Sequence, residues 1–239
     1  MTWSILGRDD EGRLGVAVAS RFFAVGALCP HTRRGVGAVS SQALLNPLYG
    51  PAALDLLAEG QTPFDVARAL TDADPGRAQR QLHLLPVRGK PVAFTGERCV
   101  DWCGHLLEDD FSVAGNMLAG PQVIEASAAA YGDARDLPLA ERLLAALEAG
   151  EAAGGDKRGK QAAALVVHGD EDRHELDIRV DDHAEPVTEL RRLYQVSLER
   201  FQPFVACLPG RHDAAGLIDR AEIEARIAAF HAGRALRRA

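Results

Sequence analysis

Strand-like and helical stretches come in blocks along this chain, and that order constrains the fold more than any single motif. Short apolar runs at 5–7 and 14–20 flank the polar, glycine-containing segment Arg8-Asp9-Asp10-Glu11-Gly12. This is the mark of a hairpin with a loop longer than two residues. A third strand is expected over 35–41, and two helices follow. The first follows Tyr49-Gly50-Pro51 and runs through Glu59, with Gly60 as its C-terminal stop. The second opens with Thr62 as N-cap, Pro63 at the first position and Asp65 near the positive end. The pattern then repeats: strands at 81–87, 91–95 and 111–114, and helices at 121–131 and 138–149. In the last of these Leu139, Leu143, Leu144 and Leu147 form one stripe. A hairpin at 161–168 and 176–180 and helices over 187–201 and 215–232 finish the chain. Helices that do not alternate singly with strands disfavour a doubly wound parallel sheet. The class is α+β, antiparallel hairpins covered by helix pairs, and two sheets packed face to face with helices outside is one arrangement that fits.

The 239 residues, 47% hydrophobic and 26% charged, suit one large domain with a short appendage. We place the division at 1–196 and 197–239, the second part a C-terminal helical extension with Ile223, Ile227 and Phe230 on its apolar side. A net charge of -7 argues against a nucleic-acid partner held by a basic field. No apolar run approaches the roughly 20 residues of a membrane span, so no membrane partner is expected. The opening residues show no basic start, apolar core or cleavage site, and the four cysteines form no repeated pair. The expected compartment is the cytoplasm. No cofactor is expected, and association into a homo-oligomer is left open.

Thr2 is the first residue that could carry chemistry. An initiator methionine is generally removed before a small residue, which would leave Thr2 with a hydroxyl and an α-amine side by side. With a reference pKa of about 7.7–8.0, that amine can accept the hydroxyl proton near neutral pH. An ordinary chain start is the bland alternative. The first hairpin brings Ser20 and Arg21 toward the Thr2 end, where a guanidinium could hold the amine neutral and orient an anionic substrate, or be a solvated strand-end charge. Asn116, between Gly115 and Met117, could donate to a developing oxyanion or simply make a turn. The segment Gly154-Gly155-Asp156-Lys157-Arg158-Gly159 could set Asp156 and Arg158 at a sheet edge, or be a solvated loop. Asp181 and Asp182 precede His183 at a strand end, where capping competes with acid–base work. Gln42 and Asn46, after the third strand, are candidate substrate-binding groups. Cys99, Cys103 and His105 offer three metal-ligand types in one short stretch, but no second cluster supplies a fourth, and no metal is expected.

The opening Thr2-Trp3-Ser4-Ile5, the run Gly15–Gly26 ending its strand in Ser20-Arg21, Gln42-Ala43 with Asn46-Pro47-Leu48-Tyr49-Gly50, Gly115-Asn116-Met117-Leu118-Ala119-Gly120, the Gly154 segment and Arg179-Val180-Asp181-Asp182-His183 together resemble the domain of unknown function 1028 family. That family is similar to the N-terminal-nucleophile (Ntn) hydrolases. The resemblance implies a four-layer αββα sandwich with two antiparallel sheets. It also implies an amidohydrolase in which Thr2 attacks the amide carbonyl of a small molecule or peptide. Arg21, Asn116 and Asp156 would be the other catalytic residues. Ser20, Gln42, Asn46, Arg158, Asp181 and Asp182 would bind substrate. Ser20-Arg21 resembles the Ser-Arg of proteasome-type members, but the acid that precedes it there is Ala19 here. The competing expectation is a binding or assembly protein that keeps the Ntn fold without its chemistry.

Overall fold

The computed structural model describes residues 2–238, with side chains through Leu236. Met1, whose removal the catalytic expectation requires, lies outside the described residues. The chain divides into two compact units, one ending at Leu190 and the other beginning at Arg191.

The first unit has a mixed α+β fold with two antiparallel sheets. Its elements are β1 (Thr2–Arg8), β2 (Leu14–Ser20), β3 (Pro30–Arg33), β4 (Gly37–Ala43), α1 (Tyr49–Ala58), α2 (Pro63–Asp72), β5 (Arg80–Pro86), β6 (Val92–Thr95), β7 (Gly104–Leu107), β8 (Phe111–Asn116), α3 (Gln122–Asp133), α4 (Leu139–Ala152), β9 (Ala162–His168) and β10 (Leu176–Val180). The larger sheet has the order β10-β9-β2-β1-β8-β7 and the smaller β3-β4-β5-β6. Every pairing is antiparallel.

Side chains alternate across a strand, so each strand serves two layers. Leu6, Leu14 and Val16 of the larger sheet pack with Ala38 and Leu85 of the smaller, so the sheets meet face to face. The opposite face of the larger sheet carries α3 and α4. There Gly7 and Gly15 have no room for a side chain: a Cβ would sit 2.3 Å from the Tyr131 hydroxyl at Gly7, and 2.4 Å from Leu143 at Gly15. The outer face of the smaller sheet carries α1 and α2, with Val39, Leu82 and Leu84 against Tyr49, Ala53, Leu54 and Val66. The α2 start is as expected: the Thr62 side chain accepts from the Asp65 amide at 3.2 Å, with Pro63 first in the helix.

Two strands escaped the sequence reading. β3 is the polar Pro30-His31-Thr32-Arg33, an edge strand with no apolar face. β7 lies in the stretch read only for its cysteines and histidine.

α5 (Pro186–Ser197) spans the division between the units, and α6 (Phe201–Val205) and α7 (Arg220–Arg238) belong to the second. The helix expected over 187–201 stops at Ser197. Its hydroxyl donates back to the Tyr194 carbonyl at 2.6 Å and accepts from Gln202 Nε2 at 2.8 Å, a local competitor to further helix. The final helix starts at Arg220 instead of 215. Gly216 has a positive φ of 59°, and Asp219 Oδ1 accepts from the Ala221 amide at 2.7 Å as an N-cap does. Arg200 makes a two-pronged contact with Glu224 inside this unit. Among the described residues no helix is long and apolar enough to cross a membrane.

Candidate active site

Along β1 the side chains facing the other sheet are Thr2, Ser4, Leu6 and Arg8, so the layer between the sheets grades from hydroxyls through an apolar centre to charge. Thr2 pairs with Asn116 on one side while Trp3 pairs with Ala19 on the other. Carried one residue further, that register sets Ser20 opposite Thr2. The Thr2 hydroxyl donates to Ser20 Oγ at 3.2 Å, and Thr2 is only 4% exposed.

Below Thr2 lies a buried polar network whose hydrogen-bond directions can be worked out. Gln42 Nε2 donates to the Ala114 carbonyl at 3.1 Å, and Gln81 Nε2 donates to the carbonyls of Gly104 at 3.0 Å and Gly115 at 2.9 Å. Backbone carbonyls only accept, so both amides are oriented. Gln81 Oε1 then accepts from Gln42 Nε2 at 2.9 Å and from Asn116 Nδ2 at 3.0 Å. Ser4 must donate to Gln42 Oε1 at 2.7 Å, so His83 Nε2 carries the proton given to Ser4 Oγ at 2.7 Å, and Ser112 donates to His83 Nδ1 at 2.8 Å. Burial keeps this imidazole neutral, its pKa lowered to about 3, with His105 adding to the shift. Asn116 Nδ2 also donates to the Thr2 carbonyl at 3.4 Å, so both of its amide protons are engaged within the protein.

On the rim beside Ser20, the Asp156 carboxylate is 1% exposed. It accepts from the amides of Arg21 and Arg158, both at 2.8 Å, and from the Arg158 guanidinium at 3.2 Å. Arg21 and Arg158 also exchange guanidinium-to-carbonyl bonds, each 3.1 Å. Backbone bonds from Ala119 to Gly155 at 3.0 Å and from Lys157 to Met117 at 3.3 Å lace the glycine-rich loop to the segment after Asn116. Close approach explains one of those glycines: a Cβ on Gly155 would lie 3.1 Å from the Trp3 ring, and its φ is +48°. Met117 (φ 52°) follows Asn116 and Ala43 (φ 69°) follows Gln42, both non-glycine residues in the left-handed region. Such conformations store roughly 1–3 kcal/mol each and are held only where surrounding structure insists on them.

Residues 2–190 match the family of unknown function DUF1028. The chain belongs to this family. A solved DUF1028 structure, protein SPO2555 from Silicibacter pomeroyi, is 32% identical with a TM-score of 0.84, covering 92% of this chain and 96% of that one. Anbu (ancestral beta-subunit) from Yersinia bercovieri aligns with a TM-score of 0.42 at 14% identity, over 87% of this chain and 98% of its own. No curated protein matches the chain.

In this DUF1028 chain, Thr2, Ser20, Arg21, Asn116, Asp156 and Arg158 come together at one end of the larger sheet, and Gln42 joins them from beneath. Asn46 lies apart: its amide donates to Asp74 Oδ2 at 3.3 Å, and its Oδ1 accepts from Leu48 N at 3.0 Å in the turn into α1. Asp181 and Asp182 follow β10, three strands from β1 and so roughly 14 Å away at ordinary strand spacing. The Asp181 carbonyl accepts from Ala24 N at 3.0 Å, and Asp182 Oδ1 from Gln161 Nε2 at 3.1 Å. Cys99 and Cys103 point their thiols at the carbonyls of Arg80 and Cys99, while His105 Nδ1 meets Thr95 Oγ1 at 3.0 Å. Burial pushes the Cys99 thiol up to about 11. Among the described residues no three His, Cys, Asp or Glu side chains gather as a metal cage. The sequence reading missed Ser4, Gln81, His83 and Ser112. Their only trace was polar residues alternating with apolar ones inside strands.

Proposed function

We propose that this DUF1028 protein is an Ntn-type amidohydrolase acting on an amide of a small molecule or peptide, with Thr2, freed by loss of Met1, as nucleophile and base. The helix pair, two sheets and second helix pair are read as the αββα sandwich of that superfamily. One observation carries the reading. The second residue of the chain is held at the head of a central strand, its hydroxyl on Ser20 and its carbonyl under Asn116.

In this scheme the Thr2 amine takes the proton from Oγ1, directly or through one water, as Oγ1 attacks the amide carbonyl. The proton passes to the leaving nitrogen as the C–N bond breaks, and water then cleaves the acyl ester on Thr2. Arg21 and Arg158, braced by Asp156, supply positive charge at the rim for an anionic substrate group. Asn116 serves as oxyanion donor only by exchanging its 3.4 Å bond to the Thr2 carbonyl for one to the substrate oxygen. Asn46, Asp181 and Asp182 take no part.

The reading is tested by intact-mass measurement and by a β-lactone probe, whose strained ester Oγ1 would open with a gain of the whole lactone mass. The expected result is a chain lacking Met1 that gains one adduct on Thr2, with none on Thr2→Ala. A native chain of full encoded mass, or labelling that survives Thr2→Ala, overturns it. The engaged Asn116 amide and Ala19 in place of an acid favour the second reading, a binding protein on the same fold, which those overturning results would support.

A further inference from the structure

At the far end of the sheets from Thr2 lies a cluster that the proposed chemistry does not use. It comprises Thr32 of β3, His168 at the end of β9 and His174 in the loop that follows. The β2–β9 register runs from Ser20↔Ala162 to Leu14↔His168, six strand steps or roughly 20 Å. Thr32 Oγ1 lies 3.1 Å from His168 Nδ1 and 3.0 Å from His174 Nε2. The two rings meet edge to face with centroids 4.8 Å apart.

The other nitrogen of each ring faces an acceptor of its own. His168 Nε2 donates to the Glu171 carbonyl at 2.9 Å, and His174 Nδ1 faces Asp177 Oδ2 at 3.5 Å. With both rings neutral, as metal ligands must be, each carries one proton, and these acceptors draw it to the outer nitrogens. Both inner lone pairs then converge on one hydroxyl. That hydroxyl has one hydrogen to give, so one imidazole lone pair is left facing the lone pairs of the oxygen. A cation that accepts from both nitrogens resolves the conflict.

We propose that His168 Nδ1, His174 Nε2 and the Thr32 hydroxyl form a binding site for a late first-row divalent cation, with zinc as the reference ion and water completing its coordination. Neutral imidazole suits zinc, copper and nickel. A carbonyl behind one ring and a carboxylate behind the other are the contacts that orient ligating histidines and raise their basicity. With two imidazoles and no thiolate, the site is open and exchangeable, unlike a closed structural cage. Thr32 comes from the smaller sheet, His168 from β9 of the larger and His174 from the loop after β9, so a bound ion would tie β3 to β9. By linkage it would raise the unfolding temperature.

Calorimetric titration of the full chain with Zn²⁺ tests the proposal. One ion per chain is expected, with a raised thermal midpoint reversed by chelator. Binding should be lost in His174→Gln and in His168→Gln, weakened about tenfold or more in Asp177→Asn, and unchanged in the Cys99→Ser/Cys103→Ser double variant. His168 is buried and its replacement can disturb folding, so ring-nitrogen NMR of the unaltered protein provides an independent readout. Zn²⁺ should shift His168 Nδ1 and His174 Nε2. Absent heat with unmoved nitrogens, or binding that survives His174→Gln, overturns the proposal.

Discussion

Thr2 Oγ1 has Ser20 Oγ as a hydrogen-bond partner at 3.2 Å, and that contact fixes where the hydroxyl points. If Thr2 is the nucleophile, Ser20→Ala leaves the hydroxyl free to rotate away from its line of attack. Loss of orientation of this kind lowers rates by roughly 10- to 100-fold. The rate of β-lactone acylation, followed by mass, should fall by that amount with the urea midpoint little changed. An unchanged rate would mean that Ser20 is only a neighbour. His83 poses a different residue-scale question, because its neutral form is built into the network. Folded, its pKa is near 3; unfolded, it returns to about 6.5. Below pH 6.5 the unfolded chain therefore binds a proton that the folded chain refuses, so this contribution to stability is whole above 6.5 and declines as pH falls toward 3. The slope approaches 1.4 kcal/mol per pH unit. Between pH 7 and pH 5 the unaltered protein should lose about 2 kcal/mol more unfolding free energy in urea than His83→Gln does. Equal losses in the two proteins would show that His83 carries no such linkage.

At the scale of elements, the sheet–helix contacts depend on glycines that let α4 come close. A Cβ at Gly15 would stand 2.4 Å from Leu143 Cδ1 and 3.3 Å from the Val166 carbonyl. Gly15→Ala should therefore destabilise by about 1–3 kcal/mol through overpacking. Leu143→Ala alone should cost about 2–5 kcal/mol as a cavity. Each fills or relieves what the other creates, so the double variant should lose at least about 1 kcal/mol less than the sum, measured by urea unfolding. Strict additivity would deny the contact. The start of α2 offers a simpler case: Thr62→Ala removes the acceptor for the Asp65 amide and should cost about 1 kcal/mol, while Thr62→Ser should be close to neutral. That cap was legible in the sequence because its logic is local, with Thr62, Pro63 and Asp65 carrying the signal within four positions. The apolar strands were legible for the same reason. β3 was not, since His31, Thr32 and Arg33 give an edge strand without an apolar face. The inward direction of Gln81 and His83 was also hidden. A polar–apolar alternation marks a strand with two unlike faces, but only the sheet packed above it decides which face is buried.

At the scale of the whole molecule, the block order of hairpins and helix pairs was enough to reach two antiparallel sheets with helices. The gathering of Thr2, Ser20, Asn116 and Asp156 depended on strand order that no local pattern carries. Asp156 sits 135 positions from the Arg21 amide that it accepts, and only the pairing of β2 with β9 brings their loops to one rim. Asn46 and Asp181 looked equally suitable as polar groups at strand ends, and topology sends them elsewhere. The DUF1028 match ends at residue 190, where the first compact unit also ends. Both sheets, the four helices packed on them and the polar network lie within that unit. We therefore expect a chain ending at Ser197, which keeps α5 whole, to fold by itself. It should unfold in one cooperative urea transition, keep the near-ultraviolet circular dichroism of Trp3 and Trp102 and acylate at the full-length rate. Loss of cooperative unfolding or of the near-ultraviolet signal would show that residues beyond Ser197 are needed to hold the first unit together, and the division at Leu190 would then not mark an independently folding part.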